Sequence, residues 1–538
     1  MCESPMPPIQ HFPLIESLRV KPEFQNVQHK AGSHTCNREI KVSTMATNTD
    51  WHQRALELKP ESKIFINGAY VDSASGKTFE DIAPHDDRVI AHVASGDIED
   101  IDRAVKSAKK VFDDGTWREM NPRDKKAIML RWSALMLENK EELALLEAVD
   151  TGKPIGDTLS VDVPNAARVI SWYGEAIDKR YDEVAPAPRN ALAMITREPL
   201  GVIGAVVPWN YPMMIASWKI GPAVAMGNSI VVKPAENSSL STLKMAELAI
   251  EAGLPAGVFN VVPGLGIEAG QALARHMDVA KIAFTGSPAV GRKMLEYAAQ
   301  SNMKQVALEL GGKSAQVILN DCVDLEAAAS AIGWGIYYNA GQTCSAGSRI
   351  IVEKGIKEEL FAHLRTFLES FVVGSQFDPT TQMAGLVSKV QRDRVNSYLD
   401  LIGRDGEKII FGGEKTQGAN LLIAPTLIDS VKAASRLAQE EIFGPVLTSI
   451  DAKDADEAIA IANGTEYSLA ASIWTSNIAK AHTLARRLRA GTVWVNTFDM
   501  VDVITPIGGF GLSGSGRDKS LHALDTYSAL KTTWIDLN

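Results

Sequence analysis

Residues 201–233, GVIGAVVPWNYPMMIASWKIGPAVAMGNSIVVK, hold two short apolar runs on either side of a longer one. Gly201–Val207 and Ser229–Lys233 are apolar without polar alternation, the mark of strands buried on both faces. Met213–Ala225 between them has the length and composition of a helix. Strand, helix, strand predicts parallel pairing with helices packed on the sheet. The rhythm continues in both directions. Downstream, Leu240–Ala252 reads as a helix and Val258–Val262 as a strand; upstream, Ile64–Ile66 with Asn67-Gly68 reads as a strand and turn. Ile101–Phe112 and Lys125–Ala148 carry apolar residues at helical spacing. No internal repeat interrupts the pattern, and the fold class expected is α/β.

With 538 residues, two or three packed domains are expected. Hydrophobic residues at 45% and charged residues at 22% are the balance of a soluble globular protein. The longest apolar candidate, Leu200–Trp209, falls short of the ~20 residues that span a bilayer, and Gly201, Gly204 and Pro208 break it. A net charge of -10 and a pI near 5.6 argue against nucleic acid as a partner, which requires a basic face. Cys2, Cys36, Cys322 and Cys344 show no metal-ligand spacing and are too sparse for a disulfide framework, so no metal and a reducing, cytoplasmic setting are expected. Residues 1–44, with Pro7, Pro8, Pro13 and Pro22 and no periodicity, read as a disordered extension or as a start-site artefact ahead of Met45.

Four segments carry candidate chemistry. Cys344 stands among Gly341, Gln342, Thr343, Ser345, Ala346 and Gly347, small or polar neighbours that leave room for a substrate at the sulfur. Cys322, among ordinary neighbours, reads as structural. Glu309, between leucines and ahead of Gly311-Gly312, suits either a paired structural carboxylate or a general base, since desolvation raises a carboxyl pKa toward that range. Asn210, after a strand in Pro208-Trp209-Asn210, suits either a helix cap or an oxyanion donor. Lys233 and Glu236 follow another strand and suit either an ion pair or recognition of ribose hydroxyls. Gly264-Leu265-Gly266 and Thr285-Gly286-Ser287 add turns able to meet phosphate at helix starts, though neither is a Gly-x-Gly-x-x-Gly.

Taken in order, these segments resemble the aldehyde dehydrogenase superfamily from about Trp51 to the C-terminus. The resemblance rests on the boxes Leu308–Ser314 and Tyr337–Ser348, with Phe284–Ser287 and Glu441-Ile442-Phe443-Gly444-Pro445 in support. Within it, Ile64–Gly68, Asp150–Pro154 and Gly516–Leu524 are similar to the members that oxidise γ-glutamylamino aldehydes in putrescine breakdown.

The resemblance implies a Rossmann-like cofactor domain over 45–179 and 200–308, a catalytic domain over 309–523, and an oligomerisation arm from 180–199 and 524–538. It implies NAD-dependent oxidation of an aldehyde to the acid through a thiohemiacetal and thioester on Cys344, with Asn210 holding the oxyanion and Glu309 activating water. For the cofactor it implies Trp209, Lys233, Glu236, Gly286, Ser287, Glu441 and Phe443, with NAD favoured over NADP by the Glu236 carboxylate. For the aldehyde it implies Tyr211, Met214, Trp218, Ser345, Ile507 and the stretch Val161–Asn165. Asp162, Asp499 and Asp502 are expected near the tunnel mouth, either selecting an amine-bearing aldehyde or standing as solvated loop acids. An ω-amino or γ-glutamylamino aldehyde is the expected substrate; betaine aldehyde or a broad aliphatic range is the alternative, betaine being disfavoured by Ile at position 507. A homodimer or homotetramer is the expected assembly.

Overall fold

The computed structural model describes residues 50–418 and 420–538; the expected extension, 1–44, lies outside the described residues. Two seven-stranded sheets dominate. In the first, the strands run in the order Gln305–Leu310, Val279–Gly286, Val202–Val206, Ser229–Lys233, Phe259–Val261, Ile64–Ile66 and Ala69–Val71. Its first five strands are parallel, and the short hairpin adds antiparallel to Val261 through Phe65. Val202–Val206 and Ser229–Lys233 are buried throughout, as strands covered by helices on both faces must be.

The second sheet runs Lys408–Phe411, Thr426–Asp429, Val446–Ala452, Arg349–Glu353, Ala315–Ile318, Ala470–Trp474 and Thr492–Val495, parallel except at its first strand. Gln305–Leu310 ends the first sheet and Ala315–Ile318 lies inside the second, so Gly311–Ser314 crosses directly between them. The glutamate segment is therefore a seam, and the cysteine loop enters it ahead of Arg349–Glu353.

A third sheet pairs Ser528–Asp536 with Ala191–Pro199 and the latter with Glu183–Ala185, all antiparallel. Tyr181, Val184, Leu530 and Trp534 are exposed along this sheet.

The sequence predicts one helix over Lys125–Ala148; the structure has two, Pro122–Glu138 and Lys140–Thr151. The break falls at Asn139, whose side-chain amide donates to the Leu135 carbonyl at 2.9 Å. Asn139 keeps its backbone bond to that carbonyl at 3.0 Å, and its own carbonyl accepts from the Leu143 N–H at 3.1 Å, so one residue closes the first helix and opens the second while the apolar periodicity carries on. Among the described residues no helix is long and apolar enough to cross a membrane.

Candidate active site

Parallel register puts the carboxyl ends of the first sheet's strands on one edge: Leu310, Gly286, Val206 and Lys233. Ligands in open α/β sheets gather at that edge. A chamber of about 470 Å³ opens there, lined among others by Trp209, Asn210, Thr285, Gly286, Ser287, Glu441 and Phe443. A second, of about 270 Å³, is lined by Val161, Tyr211, Met214, Trp218, Ser345, Asp499 and Ile507, with further residues around them. Among the described residues only Cys344 and Ile215 belong to both walls.

The loop that delivers the sulfur is bent sharply. After the helix Leu325–Tyr337, three successive residues have positive φ: Asn339 (49°), Ala340 (52°) and Gly341 (71°). Such backbone costs about 1–3 kcal/mol per non-glycine residue and persists only where its surroundings enforce it. Here the Asn339 amide donates to the Asn210 carbonyl at 3.1 Å, and the Gln342 amide to the Asn339 carbonyl at 3.1 Å. The Val387 N–H donates to Gln342 Oε1 at 3.0 Å. Two glycines are forced by crowding: a Cβ on Gly341 would lie 2.1 Å from the Gly444 carbonyl oxygen, and one on Gly312 would lie 2.5 Å from that of Cys344. The Gly-Gly of the glutamate segment thus lets two backbones touch beside the sulfur.

Asn210 does not cap the next helix. Its amide donates to the Gln342 carbonyl at 2.9 Å, two residues before Cys344, leaving a second N–H on the same nitrogen. The Tyr211 hydroxyl meets Thr343 Oγ1 at 2.8 Å, and Lys153 Nζ lies 3.8 Å from the centre of the Tyr211 ring.

Burial pushes the Cys344 thiol up to about 12, and the carboxylates of Glu441, Asp499 and Glu309 push the same way against a hydrogen bond from the Ser345 backbone. Burial thus favours the thiol over the thiolate. Burial, then Asp518, hold the Glu309 carboxyl well above its usual range, although Lys219 and Arg517 oppose them. Glu309 lies on neither chamber's wall; its Oε1 is buried without a partner, 2.6 and 2.9 Å from where a Cβ on Gly508 or Gly516 would stand. Burial raises Glu441 to about 7, with its Oε1 accepting from the Gly312 N–H at 2.9 Å.

The larger chamber suits a dinucleotide. Thr285 Oγ1 is buried there without a partner. Ser287 caps the 12-residue helix Pro288–Ala299; Pro288 has no N–H and the Val290 N–H goes to Ser287 Oγ, so the Ala289 N–H is the first-turn donor suited to a phosphate. Trp209 and Phe443 meet edge to face at 5.3 Å, leaving aromatic surface on the chamber wall. Farther along the edge, Lys233 Nζ pairs with Glu236 at 3.1 Å, and Glu236 accepts from the Gly266 N–H at 2.6 Å. Of the two readings of that pair, the ion pair is present, and it stands just past the end of the strand Ser229–Lys233.

One expected substrate residue is corrected. Asp162 is fully buried and pairs with Lys153 Nζ at 2.6 Å, away from the chamber. It belongs to the π-helical turn Thr158–Asp162, on which Val161 faces the cavity and the next side chain points away from it. Two cations on the chamber wall, Arg168 and Lys519, escape the sequence reading. Arg168 engages Asp502 at 2.7 Å, so that acid is already paired. Lys519 lies in the Gly516–Leu524 segment, where no periodicity marks it as inward. Among the described residues no cluster of His, Cys, Asp or Glu is arranged to hold a metal ion.

A model of the aldehyde dehydrogenase family matches residues 70–533, and the chain belongs to that family. It is an NAD(P)-dependent aldehyde dehydrogenase. The NADP/NAD-dependent aldehyde dehydrogenase PuuC of Escherichia coli K12 is 47% identical over 490 residues, covering 90% of this chain and 98% of that protein. A solved γ-glutamyl-γ-aminobutyraldehyde dehydrogenase from Burkholderia cenocepacia J2315 is 50% identical with a TM-score of 0.89, covering 91% of this chain and 99% of that one. A solved indole-3-acetaldehyde dehydrogenase in complex with NAD+ has the same identity, TM-score and coverage.

Proposed function

We propose that Cys344 attacks the aldehyde carbon and that Glu309 later delivers water to the acyl-enzyme. The observation that carries this is the place of Cys344 on the wall of both chambers, since a sulfur reachable from one side only could not hold an aldehyde against a nicotinamide. The Cys344 thiol loses its proton to water, and attack by the resulting thiolate converts the carbonyl oxygen into the oxyanion of a thiohemiacetal. The second N–H of Asn210, whose first is tied to Gln342, and the Cys344 backbone N–H are the donors to it. NAD(P), when bound, accepts the hydride. Loss of that hydride leaves a thioester on Cys344. Glu309, raised by burial, takes a proton from water as it adds to the thioester carbonyl, and the acid departs with the thiol restored. Its partnerless Oε1 leaves the carboxyl free to turn toward the sulfur.

In the cofactor chamber, Ser287 is suited to the pyrophosphate and Glu441 to the nicotinamide ribose, with Trp209 and Phe443 beside the ring. Lys233 and Glu236 suit the adenosine ribose, and the Glu236 carboxylate disfavours a 2′-phosphate, so NAD is preferred. The substrate is an ω-amino or γ-glutamylamino aldehyde: its apolar chain suits Met214, Trp218 and Ile507, and Asp499 supplies an acid on the wall. The γ-glutamyl-γ-aminobutyraldehyde dehydrogenase at 50% identity supports this, whereas the indole-3-acetaldehyde enzyme at equal identity and the aromatic wall of Tyr211, Trp218 and Tyr338 favour an arylacetaldehyde as the second reading. The exposed apolar sheet ending in Ser528–Asp536 supports assembly as a homodimer or homotetramer, and the sparse cysteines support a cytoplasmic setting.

Purified enzyme with aldehyde and NAD is expected to form NADH without coenzyme A. Glu309→Gln is expected to release one burst of NADH per active site and then stall. A requirement for coenzyme A, or slowed hydride transfer with no burst, would overturn the role given to Glu309.

A further inference from the structure

The substrate chamber holds a buried cation that, among the described residues, makes no direct ion pair. Lys519 is 2% exposed and lines the cavity, and its Nζ donates to the Asp502 backbone carbonyl at 3.1 Å. Among the described residues no carboxylate oxygen lies within 4.0 Å of that nitrogen. An ammonium has three N–H donors, so at least one is left to face the cavity. Trp218, with its ring centre 5.3 Å away, offsets only part of the cost of burying the charge.

The backbone holds Lys519 there against its own preference. Lys519 and Ser520 have φ of 61° and 54°, consecutive non-glycine residues in the left-handed region. They are fixed from both sides: Asp518 and Ile507 exchange backbone hydrogen bonds at 2.9 and 3.0 Å, and the Ser520 N–H donates to the Val503 carbonyl at 2.7 Å. Strain that the surroundings impose at a cavity wall points to a functional position.

The same wall carries the complementary anion. Asp499 accepts from the Ser345 hydroxyl at 3.0 Å, and among the described residues it too has no cation within 4.0 Å. Asp502 is different, being closed off by Arg168. The chamber thus presents one cation and one anion among apolar and aromatic residues, acting on each other through space while, among the described residues, neither makes a direct ion pair.

We propose that Lys519 is a specificity-determining residue that binds a carboxylate of the aldehyde, and that with Asp499 it selects amphoteric aldehydes bearing both a carboxylate and an ammonium group. This rests on the reading of the 270 Å³ chamber as the aldehyde site and narrows its substrate class. Asp499 alone would favour a simple ω-ammonium aldehyde; Lys519 penalises one, because it adds a like charge without a partner for itself.

The test uses the full chain with saturating NAD and four aldehydes: propanal, 4-aminobutanal, succinic semialdehyde and γ-glutamyl-4-aminobutanal. For Lys519→Met, the ratio of KM for the two carboxylate-bearing aldehydes to KM for propanal is expected to rise about tenfold or more, the scale of one charge-assisted hydrogen bond. Lys519→Arg is expected to restore most of that loss, which a merely structural role would not predict. Asp499→Asn should raise the corresponding ratio for the two ammonium-bearing aldehydes. Without any variant, γ-glutamylbutylamide should inhibit the wild-type enzyme competitively, and about tenfold less well once its α-carboxyl is converted to an amide. Equal inhibition by acid and amide, or unchanged KM ratios in Lys519→Met, would overturn the proposal. If the wild-type enzyme oxidised none of the four aldehydes, the reading of the chamber itself would fail; if it oxidised propanal but showed no carboxylate effect, only the role of Lys519 would.

Discussion

The side-chain amide of Asn210 donates to the backbone carbonyl of Gln342 at 2.9 Å, tying the end of a strand in the first sheet to the loop that carries Cys344 in front of the second. The bond orients the amide and the sulfur relative to each other. Asn210→Ala is expected to lower the hydride-transfer rate by roughly 10²–10³, the usual cost of losing one oxyanion donor. It also removes one of two donors to that buried carbonyl, the Asn339 amide at 3.3 Å remaining, at about 0.5–1.5 kcal/mol of stability. Stopped-flow NADH formation and thermal melts separate the two effects; a lowered melting point with unchanged hydride transfer would leave Asn210 a structural tie only.

The thiol of Cys344 is pushed up to about 12 by burial first and then by Glu441, Asp499 and Glu309. A raised thiol pKa means that the reactive thiolate is scarce at neutral pH and grows as pH rises toward that value. Iodoacetamide should therefore alkylate the cofactor-free enzyme about tenfold faster per pH unit from pH 7 to 10, without levelling. Asp499→Asn or Glu441→Gln removes a repelling charge and should speed alkylation at fixed pH. A plateau near pH 8 would contradict the electrostatics.

Glu236 accepts from the Gly266 N–H at 2.6 Å while pairing with Lys233. Glu236→Ser removes the negative charge and leaves Lys233 free for a phosphate. The NADP-to-NAD ratio of kcat/KM is expected to rise about tenfold or more, from the loss of close like-charge repulsion. Parallel titration of both cofactors measures it, and an unmoved ratio would detach Glu236 from the ribose.

Gly341 and Gly406 both have positive φ, of 71° and 94°, but different surroundings. Alanine at Gly406 meets nothing within 4 Å, so only backbone strain of about 1–2 kcal/mol is expected. At Gly341 the same methyl would fall 2.1 Å from the Gly444 carbonyl, which has to move together with the cysteine loop. Gly341→Ala is expected to melt at clearly lower temperature than Gly406→Ala and to lose most of its turnover. Equal melting points for the two variants would remove the argument from crowding.

Local chemistry made several of these positions readable. Small neighbours marked Cys344 as the cysteine with room around it, Gly311-Gly312 marked a close backbone approach beside Glu309, and uninterrupted apolar runs marked Gly201–Val207 and Ser229–Lys233 as strands of a covered sheet. Asp162 and Lys519 ran the other way. An acid near the expected tunnel turned inward to Lys153, and a lysine in an unpatterned segment turned onto the chamber wall. The break at Asn139 was hidden because apolar spacing continues across it while the hydrogen-bond ladder does not.

Sequence by itself determined what short-range physics decides: which runs are strands or helices, which residues bring reactive atoms, and where glycine is needed. Tertiary structure alone decided that Cys344 stands in both chambers, that Glu309 is tucked behind Gly508 and Gly516, and that Lys519 and Asp499 share one wall, neither in a direct ion pair among the described residues. The physical reason is that a side chain's direction and its electrostatic partners are set by residues far away along the chain. Strand order and the turn of each helix bring those residues together, and no local pattern encodes either.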